Sequence, residues 1–372
     1  MTKKRIVIIG CGFSGVYAAR YLSRYKDLVD VTVIDKKDTF DFLPLLPDSV
    51  GRGIKPQYLT YPLSRLAKFF SFQLIKDEVV SLDLEKNELA CVSSRVSYDY
   101  LLIASGSQTN FYGNNELAKH VYKLNSVADV RQLLGAIQEK DFANFVVCGG
   151  GYTGIEIATN LKVRLPQKKV VIVERAPEIL GPLPEWMKQY TVNNLRLLGV
   201  EVLTNTVLEN FDGRDVVLSG GRNFAQALVI WVTGVRAAEF IQNLNVEKNP
   251  QGRIKVDASL CFRDNCFAVG DAALVAYKNI FLRMAVQFSI YQAIAAAGNI
   301  LRSVKGGPLI TYRPLDMGMI IPMANNHSCG IIMGIRAKGK LATLLHFMMC
   351  VYRSCGWRNK FGIVKDLVTA RR

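Results

Sequence analysis

The chain is poor in the residues that build metal sites and disulfide frameworks. It has three histidines in 372 residues, His120, His327 and His346, far apart and in no metal or triad spacing. Its eight cysteines include no C-x-x-C pair, so neither a zinc site nor a secreted disulfide scaffold is expected, and a reducing compartment fits best. No run of roughly 18 uncharged apolar residues occurs, which argues against a spanning helix. The basic start "MTKKR" leads into only four apolar residues before Gly10, a strand rather than a signal peptide. Low-complexity segments are absent too, and so are tandem repeats beyond one glycine-turn unit that occurs twice. Acids are scarce relative to bases, 31 against 47, and the formal net charge of +16 favours anionic partners such as dinucleotides, acidic lipid or nucleic acid. With no helix-turn-helix, zinc or aromatic RNA-binding signature, nucleic acid is set aside.

What is present is glycine in a particular order. "IVIIGCGFSGVYAA" places a short β-branched strand before Gly10, Gly12 and Gly15, with a helical pattern through Val16, Ala19 and Leu22 behind them. This is the Rossmann turn: one glycine bends the chain, the next lets a pyrophosphate approach the backbone, and the third lets helix pack on strand. Phosphate then lies at the helix N-terminus, among Phe13 and Ser14. A second strand, "VDVTVID", ends at Asp35, where a carboxylate can accept from ribose hydroxyls, with Lys36 next to it.

The same grammar returns in "VVCGGGYTGIEIA". Gly149, Gly151 and Gly154 keep the spacing, Tyr152 and Thr153 open the helix, and Glu174 closes "KKVVIVE". A carboxylate there accepts from a free 2′-hydroxyl and repels a 2′-phosphate, so NADH is preferred over NADPH, with Arg175 partly offsetting the preference. Two further strands end in small-residue turns that can lie against a cofactor: "YDYLLIASG" with Ala104, Ser105 and Gly106, and "NCFAVGDAA" with Gly270 and Asp271. The expected class is α/β, two Rossmann-type dinucleotide-binding domains followed by a C-terminal amphipathic segment.

The order of these four motifs, over roughly residues 4 to 300, resembles the two-dinucleotide-binding flavoproteins. That resemblance implies FAD in the first unit and NADH in the second, inserted one. Disulfide reductases of that superfamily carry a cysteine pair where this chain reads "TFDFLPLLPDSVGRG". Cys261 and Cys266 lie in the wrong place for such a relay and read as structural thiols. "FLPLLPDSVGRG" instead resembles the Pro-Leu-Leu loop of type II NADH dehydrogenases, the non-proton-pumping NADH:quinone oxidoreductases.

Further residues carry the same resemblance. It implies that Glu156, in "GGGYTGIEIA", lies near nicotinamide and quinone and helps deliver protons. The local alternative is a helix N-terminal acid stabilised by the macrodipole. "AVQFSIYQA" resembles the family's Ala-Gln motif under the flavin, which implies Val286 and Gln287 at FAD, Gln287 and Tyr291 at the quinone, and Gln292 as a second glutamine. Val79 is implied at the adenine, and Thr233 and Gly234, in "VTGVR", at NADH. The candidate catalytic residues are thus Glu156 and Gln287, and no metal ligands are expected.

In the tail, Leu341, Leu344, Leu345, Met348, Met349 and Tyr352 form one helical stripe, widened by Phe347 and Cys350. From Arg336 to Arg372 there are nine Lys/Arg and a single acid, Asp366, and Trp357 and Phe361 lie beside cations. Such a helix suits an anionic lipid surface, with core packing or a homodimer interface as the alternatives. The segment also resembles the family's C-terminal membrane anchor. A peripheral membrane protein on the cytoplasmic face is the expectation. Expected domains are 1–108 and 258–310 for FAD, 109–257 for NADH, and 311–372 for the tail, with an antiparallel meander breaking near Glu85-Lys86-Asn87. The competing enzyme reading is a soluble or lipid-associated NAD(P)H:quinone reductase of the ferroptosis-suppressor and apoptosis-inducing-factor type. A flavin redox sensor is the competing non-enzyme reading.

Overall fold

A computed structural model describes residues 2–369, so Arg371 and Arg372, counted among the tail cations, lie outside the described residues. The chain forms two compact units, residues 1–40, 61–108 and 235–316, and residues 41–60, 109–234 and 317–372. The unit boundaries thus fall at 108/109, 234/235 and 316/317, and residues 41–60 join the second unit.

In the first unit the strand Lys4–Ile9 is central because its apolar run has no polar alternation: Ile6, Val7 and Ile8 are essentially inaccessible. A strand buried on both faces belongs inside a parallel sheet. Val29–Asp35 pairs with it on one side and Tyr100–Ile103 on the other, both parallel. Gln73–Lys76 and Cys266–Ala268 extend the sheet in parallel, and Cys261–Arg263 forms an antiparallel edge. Its two neighbours lie on opposite sides of Lys4–Ile9, so the Gly10–Gly15 turn at its carboxyl end sits at the switch point of the sheet, where ligands collect in such folds. The helix Phe13–Leu22 packs on this sheet and against the helix Val286–Val304. A three-stranded antiparallel meander follows, Val79–Asp83, Glu88–Cys91 and Arg95–Ser97, with Asn87 in the left-handed region at its first turn.

The second unit repeats the plan with Asn144–Cys148 between Lys169–Val173 and Ala227–Trp231, all parallel, and Val200–Leu203 outermost. Phe211, Val216, Leu218 and Phe224, from a small antiparallel sheet, close one core with Val146, Val171, Val229 and Trp231. The C-terminal part adds three antiparallel strands, Gly318–Ile321, Cys329–Ile332 and Ile335–Lys338, and two helices, Gly339–Arg353 and Trp357–Thr369. The last helix is anchored on residues 55–60: Asp366 accepts from the Lys55 N–H at 2.9 Å, Asn359 donates to the Thr60 carbonyl at 2.8 Å, and Gly362 lies against the Tyr58 ring. Among the described residues no helix is long and apolar enough to cross a membrane.

The stripe read from the tail sequence divides in the structure. Leu341, Leu344, Met348 and Tyr352 are more than half exposed, whereas Phe347 and Cys350 are buried on the other side with Ala342 and Thr343. His346 turns toward that packed side, with Nε2 3.5 Å from Cys350 Sγ.

Candidate functional site

Each unit carries a glycine triplet of the same design. A Cβ at Gly15 would overlap the Gly10 carbonyl oxygen, and one at Gly154 would overlap the Gly149 carbonyl oxygen. Gly10 and Gly149 sit at φ +96° and +121° and press on Ala104 and on the Val232–Thr233 backbone. Internal packing therefore demands the first and third glycines. The middle ones differ: a Cβ at Gly12 or Gly151 would meet no protein atom within 4 Å. Both are exposed, and both are the N-cap of a helix that lacks a side-chain cap, Phe13–Leu22 and Tyr152–Arg164. Open space, a helix N-terminus with no side-chain cap and the positive end of the dipole coincide there, which fits a pyrophosphate.

The strand-end acids also match. Asp35 accepts from the Cys11 N–H at 2.6 Å and the Lys37 N–H at 2.8 Å. Glu174 accepts from the Gly150 N–H at 2.6 Å and the Ala176 N–H at 2.8 Å. Each carboxylate clasps its own glycine loop, a use that the spacing alone did not disclose. Lys36, beside Asp35, is exposed and paired with Glu78 at 2.8 Å.

Around the first triplet, Ser14 donates to the Ser289 carbonyl and Gly270 N–H donates to Gln292 Oε1 at 2.7 Å. Gln292, 3 % exposed, is thus committed to holding the Gly-Asp turn. Asp271 accepts from Ser107 at 3.1 Å, and burial holds its carboxyl above the usual range against the opposing pull of Ser107 and Arg253. Ser105 Oγ, in the "ASG" turn, is buried without a hydrogen-bond partner. That orphaned hydroxyl and the cradle at Gly12 fit a polar ligand such as FAD in this unit. Val79 is buried in the meander, beside exposed Val80. Val286 and Gln287 begin the helix Val286–Val304, and Tyr291 lies one turn on. Gln287 is buried and donates to Asp316 at 3.0 Å, while Arg283 grips the same carboxylate through two bonds of 2.6 and 2.8 Å.

In the second unit Tyr152 donates to Met319 Sδ at 2.6 Å, and Thr153 is partly buried in the same first turn. Thr233 abuts Gly149, and Gly234, at φ +73°, lies against the Tyr112 hydroxyl. Glu156 is partly buried; desolvation first, and then the charge of Asp48, raise its carboxyl well above the ordinary range. Asp48 itself is 2 % exposed and is pushed up to about 6 by burial, with Arg52 and Asn160 pulling the other way. Sequence reading passed over Asp48, Arg52 and Asn160. The available signal was an Asp–Arg pair four residues apart in a proline-bounded apolar loop.

Cys261 and Cys266 are buried, with Cys261 donating to the Arg263 carbonyl and Cys266 lying 3.8 Å from the Tyr98 hydroxyl. Burial pushes both thiols up to about 11, so neither offers a thiolate near neutrality.

Comparison with known proteins agrees with this geometry. The chain is 26 % identical over 388 residues to the demethylphylloquinone reductase NdbB of Synechocystis, covering 99 % of this chain and 96 % of the relative. It is 24 % identical over 376 residues to the type II NADH:quinone oxidoreductase of Staphylococcus saprophyticus, covering 92 % and 93 %. Its fold is similar to that of NDH2 from Plasmodium falciparum in complex with NADH, with a TM-score of 0.88, 16 % identity and coverage of 100 % and 98 %. Residues 4–298, which include both glycine triplets and both clasping acids, match the pyridine nucleotide-disulphide oxidoreductase family, and the chain belongs to that family.

Proposed function

We propose that the chain is a non-proton-pumping NADH:quinone oxidoreductase that holds FAD in the first unit and takes NADH in the second. The observation that carries this is the pair of open middle glycines, Gly12 and Gly151, each at a helix N-terminus behind a clasped loop. The names of the relatives support the choice of donor and acceptor. When bound, FAD supplies the hydride-accepting and electron-relaying chemistry between NADH and quinone. Gly10, Gly12, Phe13, Ser14 and Gly15 would hold its pyrophosphate, with Asp35 and Lys36 at the ribose, Val79 at the adenine, and Ala104, Ser105, Gly106, Gly270, Asp271, Val286 and Gln287 along the rest. Gly149 to Gly154, Glu174, Thr233 and Gly234 would orient NADH. Gln287 and Tyr291 would face the quinone.

The net reaction, NADH + H⁺ + quinone giving NAD⁺ + quinol, consumes one proton from the medium, and in this reading Glu156 holds it. An acid works best in this role when its pKa is lifted toward neutrality, the direction that burial and Asp48 impose. A visible spectrum tests the reading: the purified protein should show a flavin band, bleach with anaerobic NADH and recover on adding a short-chain quinone. Bleaching without recovery would overturn the quinone acceptor.

The tail helices supply the lipid contact in this reading, from the cytoplasmic face. Tyr352, Trp357 and Phe361 are 77 %, 75 % and 68 % exposed, and Lys360 lies near the Tyr352 and Trp357 rings. Aromatic bodies with adjacent cations suit a headgroup interface. Replacing Leu344, Met348, Tyr352 and Trp357 together by Glu should cut co-sedimentation with anionic vesicles by at least about tenfold, because buried apolar area and charge attraction are both lost. Turnover with a short-chain quinone in solution should persist. Undiminished vesicle binding would instead favour a dimer interface for the same face.

A further inference from the structure

Three helices of the second unit bring ionisable groups to one buried place. Asp48, on Leu46–Gly51, pairs with Arg52 at 3.1 Å and accepts a hydrogen bond from Asn160. Arg52 is itself fixed from several sides: it donates to Asn326 at 3.0 Å and to the Met323 carbonyl at 2.9 Å, and it lies 4.9 Å over the Phe347 ring. Glu156 is one helical turn before Asn160 on Tyr152–Arg164, so both point to the same side, and the two helices pack tightly enough that Gly51 meets the Asn160 backbone. From Gly339–Arg353 come Phe347, His346 and Cys350.

The charges in this cluster can be assigned. Burial first, and then Arg52, bring His346 down to about 4, so its imidazole is neutral at pH 7. Burial and the two carboxyls raise the Cys350 thiol, with Arg353 opposing, so it too is neutral. Arg164 is occupied at the Val50 carbonyl at the end of the Asp48 helix. Arg52 is therefore the cation that pairs with Asp48, whereas burial and the Asp48 charge are what act on Glu156. Two neighbouring carboxyls in a desolvated place, with only one of them paired to a cation, resist being ionised together. Asn160 Oδ1 and Ser49 Oγ beside them are buried with no hydrogen-bond partner.

We propose that Asp48, its charge fixed by Arg52, is a positioning residue that keeps a proton on Glu156 at neutral pH, so that the two carboxyls work as one proton-holding pair. The inference rests on the reading of Glu156 as the proton source for quinone reduction. In that step the Glu156 O–H bond breaks and an O–H bond forms on the quinone oxygen. The electrons come from NADH, and a proton from the medium, relayed by water, returns to the carboxylate. Asp48 stays ionised against Arg52 and restores the tendency of Glu156 to take the proton back.

The test is a pH titration of the full-length protein by infrared spectroscopy, following the C=O stretch of protonated carboxyls in wild type, Asp48→Asn, Asp48→Glu and Glu156→Gln. Wild type should keep a buried carboxylic-acid band at pH 7 that is missing in Glu156→Gln. In Asp48→Asn the midpoint of that band should fall by about one pH unit or more, because the neighbouring negative charge is gone. In Asp48→Glu, which keeps the charge, it should stay near the wild-type value. If Asp48→Asn does not fold, Asp48→Ser, smaller and also neutral, replaces it. An unmoved midpoint in the neutral variants, or a band that survives Glu156→Gln, would overturn the pair. Because the readout is the carboxyl itself, unchanged quinone turnover in Glu156→Gln would defeat the functional reading and still leave the pair intact.

Discussion

Gly12→Val is expected to give a folded protein without yellow colour. The added side chain has space within the chain, since even a Cβ finds no protein atom within 4 Å, so the melting temperature should move little. The volume it fills is the one a pyrophosphate needs against the helix N-terminus, so FAD affinity should fall by at least about a hundredfold, the loss expected when several charge-assisted backbone contacts of 1.5–3 kcal/mol each go together. Gly15→Ala makes the control. There the new Cβ overlaps the Gly10 carbonyl, so folding itself should suffer. A folded Gly12→Val protein that keeps stoichiometric flavin would mean that the open glycine serves something else. Gly151→Val should behave differently again: it should retain flavin and lose NADH affinity, seen as a raised KM.

Glu156→Gln carries the second large effect. Removing a positioned proton donor costs on the order of 10²-fold or more in the step it serves. Steady-state quinone turnover should fall by about that factor, while bleaching by NADH, which needs no proton from Glu156, should stay near the wild-type rate. The pH dependence has a definite sign. The carboxyl is raised by desolvation and by Asp48, and in the proposed mechanism its protonated form is the donor. Turnover should therefore be retained below the raised pKa and decline as pH climbs through it, and this alkaline limb should vanish in the glutamine variant. Stopped-flow measurement of the two half-reactions separates the cases; equal losses in both would point to a distorted loop rather than a missing proton.

These two predictions differ in how early they were legible. The glycine turns are local: strand, turn, helix and terminal acid lie close together in sequence, and each has a fixed backbone role, so the pattern of Gly10 to Asp35 and of Gly149 to Glu174 can be read without tertiary information. The meander after Val79 was visible for the same reason. The Asp48 cluster was not. Asp48, Glu156 and His346 are distant in sequence, and each looks ordinary alone: an acid in an apolar loop, an acid near a helix N-terminus, a histidine on an apolar stripe. Their meaning depends on three helices meeting, and no spacing rule encodes that. The tail shows a related limit. Periodicity found the apolar residues of Gly339–Arg353, yet it could not tell that Phe347 and Cys350 pack inward while Leu344 and Met348 stay outside.

The clasp made by each strand-end acid has a consequence for altering this protein. Glu174 sits where nucleotide preference is usually engineered, and the obvious route to a phosphorylated donor is to neutralise it or replace it with a base. The same carboxylate, however, accepts the Gly150 and Ala176 N–H groups. Taking it away would free the loop that the proposed reading sets beneath the pyrophosphate, so a switch of donor at this position would arrive together with weaker grip on any donor. Selectivity and affinity are tied here to one side chain, and a successful redesign has to replace the clasp before it changes the charge.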